Sequence, residues 1–250
     1  MISVWLIALG ILFGATVLCV LNFRFLLYEL FPRLNPLATA KQLQLEGRTL
    51  FISDLHLKAD RQFPYSKSLS RVMESRQVRN LIVDGDLFDS PADARKILAT
   101  KGLISEILGL DDLGVKVFFV QGSPPHDPPP QEDLFKGTPI VPLGNCAILG
   151  FTDLRVVAYH GQDLSWKGAF GHGWDRFISS LSLERAWKRI ARVSERDWVI
   201  FGHTHTPGID AKSRVANCGG WKSRSFLVRP ACTGIFLSPE AGSLEIVKFA

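Results

Sequence analysis

Apolar positions along this chain fall into three patterns, and each predicts a different kind of element. The first is a run from Ile2 to Phe23 with no charged side chain. It matches the ~20 consecutive apolar residues that a helix needs to cross the hydrocarbon core of a bilayer. A transmembrane anchor over residues 1–24 is therefore expected. The second pattern is the short, unbroken apolar stretch: "RTLFIS", "NLIV" and "VKVFFV". Strands buried on both faces read this way, whereas strands covered on one face alternate. Helix-like segments separate them, first "SKSLSRVMESRQVR" and then "PADARKILATKGLISEILG", the latter read as one helix with Pro91 in its first turn. This succession predicts βαβ units, hence an α/β domain.

The third pattern fills the second half. "TPIVPLG", "NCAILGF", "LRVVAYH", "DWVIFG", "SFLVRP", "TGIFLS" and "SLEIVKF" are short strand candidates divided by Gly, Asn and Asp turns. One helix is expected among them, "SLERAWKRIARVSE", with Ser182 as its cap. Upstream, Phe31–Gly47 holds two prolines and mixes polar with apolar residues, as a linker does. The division expected is an anchor at 1–24, a juxtamembrane linker at 25–46 and a globular domain at 47–250.

Composition adds little to this picture, and charge adds more. The 250 residues are 46% hydrophobic and 21% charged, enough for a sizeable core. The formal charge of +5 is modest, and Lys and Arg form no run dense enough to track a nucleic-acid backbone. Nucleic acid is not an expected partner. Around the apolar run the sign matters: no Lys or Arg precedes it, while Arg24, Arg33, Lys41 and Arg48 follow. The positive-inside bias then keeps the carboxyl-terminal domain in the cytoplasm. A cleaved signal peptide fits poorly, lacking a basic start and a small-residue cleavage site, so the expected location is the cell membrane with a single span. Cys19, Cys146, Cys218 and Cys232 show no C-x-x-C spacing and read as reduced, mostly buried thiols.

Asp and His gather where the strand candidates end. Asp54 and His56 follow "LFIS"; Asp86 follows "LIVDG", with Asp89 close by; His126 and Asp127 follow "VFFVQG". His160 follows "VVAY", and His203 and His205 follow "WVIFG". In an α/β sheet the carboxyl ends of parallel strands meet along one edge, where loops form a crevice. Carboxylates and neutral imidazoles are ligands for divalent transition metals. D-x-H and H-x-H place two such groups on the same side of an extended backbone.

In the order D-x-H, G-D, H-D, H-G, G-H-x-H, the chain resembles the calcineurin-like metallophosphoesterase superfamily, whose blocks run D-x-H, G-D, G-N-H-[DE], H-G, G-H-x-H. Here they read "SDLHL", "DGDLFD", "GSPPHD", "YHG" and "GHTHTP". "FISDLHL", "GDLFD", "GHTHTP" and "VANCGGW" are similar in wording to the branch containing the UDP-2,3-diacylglucosamine pyrophosphatases. The resemblance implies a four-layer α-β-β-α sandwich holding two divalent cations, Mn²⁺ foremost, with Fe or Zn as alternatives. It implies Asp54, His56 and His205 on the first cation, Asp86 bridging, and His160 and His203 on the second. It further implies hydrolysis of a phosphomonoester, phosphodiester or pyrophosphate bond by a hydroxide between the cations, with His126 as the catalytic group beside the leaving oxygen. With a membrane anchor, a lipid- or nucleotide-linked phosphate is the expected substrate.

One block departs from the pattern. The family's Asn, directly before its His, supplies an oxygen to the second metal; here Pro125 precedes His126, and Ser123-Pro124-Pro125 fills the place of one Asn. The departure implies a weakened second site, with Ser123 and Asp127 as candidate replacement ligands. Asn217 in "VANCGGW" and His172 in "GAFGHGW" are candidate substrate-binding residues. Two other readings stand beside the enzyme: a catalytically impaired scaffold subunit of the same fold, and a nuclease. Retention of six ligands weighs against the first, and the apolar run against the second. Oligomeric state is not legible in the sequence.

Overall fold

The computed structural model describes residues 34–110, 113–129, 132–162, 181–222 and 230–249, with Leu12, Ala15, Cys19 and Phe23 as isolated positions before them. Among the described residues no helix is long and apolar enough to cross a membrane. Apart from those four positions, the expected anchor at 1–24 lies outside the described residues, as do His172 and the strand expected at "SFLVR".

Two strands open the domain, β1 (Lys41–Gln44) and β2 (Thr49–Ile52). Helix α1 (Ser66–Ser75) follows, burying Leu69 and Met73 one turn apart on a single face. After β3 (Asn80–Asp84) come two helices, α2 (Pro91–Ala99) and α3 (Leu103–Leu108), where one was expected. The break falls at Gly102, whose φ of 78° leaves the right-handed helical path. Pro91 does open α2, behind the Ser90 cap. Next are β4 (Lys116–Val120), a short α4 (Glu132–Phe135), β5 (Ile140–Gly144), β6 (Ala147–Gly150) and β7 (Arg155–Ala158). Helix α5 (Ser182–Ile190) starts from Leu181 at φ 61°, with no side-chain cap, so Ser182 is its first residue and not its cap. The chain closes with β8 (Trp198–Phe201), β9 (Gly208–Asp210), β10 (Val215–Asn217), β11 (Thr233–Ser238) and β12 (Ser243–Lys248).

These strands form two six-stranded sheets, ordered β12-β11-β2-β3-β4-β5 and β1-β6-β7-β8-β10-β9. In the first, β2 to β5 are parallel; in the second, β7, β8 and β10 are parallel. Residues 41–44, expected in the linker, are instead β1, an edge strand parallel to β6 with Leu43 opposite Leu149. Its polar-apolar alternation is that of a strand covered on one face.

The period-two geometry of the strands sorts the core into layers. Phe51, Ile82, Phe118 and Val120 of the first sheet meet Ala147, Leu149, Val156, Ala158 and Ile200 of the second. The opposite faces of β2, β3 and β4 present Leu50, Ile52, Leu81, Val83, Val117 and Phe119 to α1, α2 and α3. On the far side, Val157, Val199 and Phe201 pack against Leu183 and Trp187 of α5. The result is a mixed α/β domain with two facing sheets. The carboxyl ends of β2, β3, β4, β7 and β8 carry the loops in which Asp and His were concentrated.

Candidate metal centre

Backbone bonds continue past the strand ends and bring those loops together. Asp54 N–H donates to Gly85 O at 3.0 Å and His56 N–H to Asp86 O at 3.0 Å, so the β2 and β3 loops run in register. The two sheets are then tied across the gap. His160 Nδ1 lies 2.7 Å from Asp84 O, and His203 N–H donates to Asp54 Oδ2 at 2.9 Å. A carbonyl oxygen only accepts, so Nδ1 of His160 bears its proton and Nε2 remains as the ligating nitrogen.

The six expected ligands fall into two groups. Asp54, His56 and His205 form one; Asp86, His160 and His203 form the other; within each group one donor atom per residue lies within 4.8 Å of the rest. His205 Nε2 is 2.6 Å from Asp54 Oδ1, and His160 Nε2 is 3.3 Å from Asp86 Oδ1. His56 Nε2 is 3.9 Å from Asp86 Oδ2, which places Asp86 between the two groups. A third grouping joins His56 to Asp89 and His126.

Burial and charge set the protonation of these groups. Burial pushes the His56 imidazole down to about 4 against the pull of Asp54 and Asp86, so it is neutral at pH 7. For His160 burial acts in the same direction, but Asp86 and Asp54 outweigh it and push the imidazole up to about 10. Asp86 moves the other way: burial opposes its charge, yet His160 draws its carboxyl far below the usual range. Without a cation, then, Asp86 and His160 form an ion pair. Asp54 is likewise held low, against its burial, by His205 and His160. Space is tight throughout. A Cβ at Gly202 would stand 1.7 Å from Ser53 Oγ and 2.7 Å from Asp54 Oδ2.

The proline-rich block makes a tight turn. The N–H groups of His126 and Asp127 both reach Ser123 O at 2.9 Å, with Pro124 and Pro125 between, where no backbone donor is needed. Ser123 N–H donates to Asp86 Oδ1 at 2.6 Å, and Ser123 Oγ lies 3.4 Å from Asp86 Oδ2. His126 Nδ1 is 2.8 Å from Asp89 O, and its ring stands edge-on to His56 with centroids 4.5 Å apart. Asp127 is fully buried, and its oxygens accept the N–H groups of Asp86, Gly122 and Phe88 at 2.7, 2.8 and 3.2 Å. These bonds make Asp127 a brace for the loop and not a replacement ligand.

A family model described as calcineurin-like phosphoesterase matches residues 47–207, more than half of the chain. The chain belongs to the calcineurin-like phosphoesterases. A comparison with curated proteins finds no match. Among solved structures, wild-type Vps29 of Entamoeba histolytica, complexed with Zn²⁺, aligns at 15% identity and TM-score 0.47, covering 80% of this chain and 97% of that one. Yfce, a phosphoesterase from E. coli, aligns at 12% identity and TM-score 0.44, covering 81% and 100%. GAP50, described as the anchor in the inner membrane complex of Plasmodium, aligns at 14% and 0.42, covering 81% and 88%.

In this calcineurin-like phosphoesterase, Asn217 sits inside the domain. It is buried, its Nδ2 donates to Gly202 O, Glu184 Oε1 and Thr204 Oγ1, and its Oδ1 accepts Gly219 N–H. Asn217 therefore scaffolds the His203–His205 loop. Glu184 shares that task, since Thr204 Oγ1 donates to it at 2.8 Å. Nothing in the sequence marked Glu184: it is one acidic residue in an amphipathic helix, and only the fold brings α5 against the loop. Ser53 was equally silent, although its hydroxyl hydrogen-bonds Asp54 Oδ2 and Asp84 O. Lys58 and Lys222 were missed as well; both pair with Asp89, beside His56.

Proposed function

We propose that this protein is a dinuclear metal-dependent phosphoesterase, tethered to the cytoplasmic side of a membrane by its amino-terminal run. The backbone of the ligands carries the reading: Asp54, His56, Asp86, His203 and His205 all hold φ between 48° and 62°. Residues in that left-handed region cost on the order of 1–3 kcal/mol each and concentrate at functional sites. Their donor set fits divalent cations. It combines carboxylates with imidazoles, His56 is neutral, and His160, whose Nδ1 faces Asp84 O, turns Nε2 toward Asp86.

Asp54, His56 and His205 would hold one cation, His160 and His203 the other, and Asp86 both, with Ser123 Oγ as the nearest oxygen to offer in place of the missing Asn. When bound, the two cations supply Lewis-acid polarisation of the phosphoryl oxygens and activation of a water. The protein's own part is positional. Ser123 N–H fixes the Asp86 carboxylate between the groups. His126 donates through Nδ1 to Asp89 O, which leaves Nε2 to exchange a proton with the leaving oxygen. The uncharged run Ile2–Phe23, with Arg24, Arg33, Lys41 and Arg48 after it, supports the tether and a membrane-proximal substrate.

Full-length protein in detergent, assayed with Mn²⁺, Fe²⁺ or Zn²⁺ on p-nitrophenyl phosphate and bis(p-nitrophenyl) phosphate, tests the enzyme, with Asp86→Asn as the blank. Turnover above the blank is expected with two metals per chain. No turnover above the blank with any of the three cations overturns the reading. Alkaline extraction tests the tether, which fails if the chain leaves the lipid pellet.

A further inference from the structure

The metal centre opens sideways into a cleft of about 410 Å³ lined by His56, Lys58, Arg61, Phe63, Trp221 and Lys222. Through Lys58, Arg61 and Phe63 this cleft continues into a groove of about 970 Å³ that reaches Lys67, Arg71 and Leu103. His56 belongs both to the first ligand group and to the cleft wall, so whatever occupies the cleft adjoins a phosphoryl group at the metal centre.

Its charge is one-sided. Among the described residues no carboxylate lines the smaller cleft, while three permanent cations do; Asp60 and Glu106 line only the larger groove. Behind them, Lys58 Nζ lies 3.2 Å from Asp89 Oδ2, and Lys222 Nζ bonds Asp89 Oδ1. One carboxylate offsets one of these ammonium groups, and Arg61 makes no ion pair among the described residues. About two positive charges therefore remain in excess next to the metal centre. The other wall is aromatic: Phe63, Tyr65 and Trp221 form a triangle with ring centroids 5.6, 5.5 and 5.3 Å apart. Trp221 is buried, and among the described residues its ring N–H has no hydrogen-bond partner.

None of these three cations belongs to either ligand group, and the cleft they line leads away from His56. From this arrangement, and on the reading that the metal centre hydrolyses a phosphate ester, we infer that Lys58, Arg61 and Lys222 form a subsite for a second anionic group on the substrate. The carbon skeleton carrying that anion lies against Phe63, Tyr65 and Trp221. The favoured substrates are thus phosphoesters bearing a further phosphate or carboxylate, and simple monoesters are poor ones. Arrival of the anion relieves the sharing of Asp89 by supplying a second negative charge to the two lysines.

Two measurements on the full-length chain separate this subsite from the hydrolase reading. The first is binding of inorganic phosphate to the chelated, metal-free protein, followed by calorimetry. Charge-assisted hydrogen bonds of this kind are worth roughly 1.5–3 kcal/mol, so Lys58→Ala/Lys222→Ala weakens phosphate by about tenfold or more. Arg61→Ala, which breaks no ion pair, serves as the second variant and keeps the test valid if the lysine double variant does not fold. The second measurement compares p-nitrophenyl diesters of propanol and of propane-1,3-diol monophosphate, which differ only in a terminal phosphate. Wild type favours the doubly charged substrate in kcat/KM by about tenfold or more, and the variants bring the ratio toward one. An unchanged ratio and unchanged phosphate binding in folded variants overturn the subsite even if turnover is high. Phosphate binding that the variants lose, in a protein that turns over neither diester, upholds the subsite and sinks the hydrolase.

Discussion

Asp127 Oδ2 accepts the backbone N–H of Asp86 at 2.7 Å, so the acid of the proline-rich loop holds the central ligand of the site by its main chain. The same carboxylate takes two further N–H groups. Burial together with the charge of Asp86 pushes its carboxyl up to about 7, while the bonds from Gly122 and Phe88 act against that rise.

Removing this brace orphans three buried donors at once. Each unsatisfied donor costs roughly 1–3 kcal/mol, so Asp127→Ala is expected to lose about 3 kcal/mol or more of stability. Asp127→Asn is only a partial rescue: its amide oxygen can keep the Asp86 and Gly122 bonds, while its NH₂ faces the Phe88 N–H. Denaturant midpoints measure the first effect. Metal counting measures the second: the Asp86–His160–His203 site should empty before the Asp54–His56–His205 site.

The His126 side chain meets one carbonyl, Asp89 O, and the edge of the His56 ring, and the backbone bonds that join the loops do not depend on it. His126→Ala should therefore retain both metals and most of its stability while kcat falls about 10²–10⁴-fold, the usual contribution of a general acid. A loss of metal in step with kcat would assign His126 to ligation instead.

The sequence carried the site further than the fold. Block order alone placed Asp54, His56, Asp86, His160, His203 and His205 together, because strand ends in an α/β sheet share an edge whatever their spacing in the chain. Asp127 was misjudged for a local reason: its neighbours in sequence suggested a ligand, whereas its partners, Asp86 and Phe88, lie about forty positions earlier. Glu184 and Lys222 had no signal, since each acts through loops met only in three dimensions. Among the elements, buried strands were legible from unbroken apolar runs. The three-residue strands β9 and β10 were not, because a stretch so short has no period to read; β10 is a strand by its pairing with β8, and β9 by its pairing with β10.

Glu184 gives a test of support from a distance. Its carboxylate receives Thr204 Oγ1, between the two His ligands of the β8 loop, and Asn217 Nδ2 of β10. Outer groups that orient ligands typically alter metal affinity by about 10–100-fold. Glu184→Ala should weaken Mn²⁺ within that range, as read by competition with a chromogenic chelator. Glu184→Gln, which keeps one acceptor oxygen, should recover part of the loss. Equal affinity in all three proteins would reduce Glu184 to packing.

Acid should act on the loop that carries Lys58 and Arg61 through Asp93. This residue accepts Ala59 N–H at 3.0 Å and the Ser90 hydroxyl at 2.5 Å, and those bonds hold its carboxyl below the usual range. A depressed carboxyl binds its proton less readily folded than unfolded. Its contribution to stability is therefore fully present above the unfolded value of about 3.9 and is lost as pH falls through the lower folded value. Asp93 is half-buried and stays in reach of solvent, so screening keeps the effect small. Asp93→Asn should lower Tm by a few degrees at pH 7, and the gap from wild type should close below about pH 3. Thermal scans across that range decide it: a gap that stays constant with pH would mean that the loop is held by shape and not by the charge on Asp93.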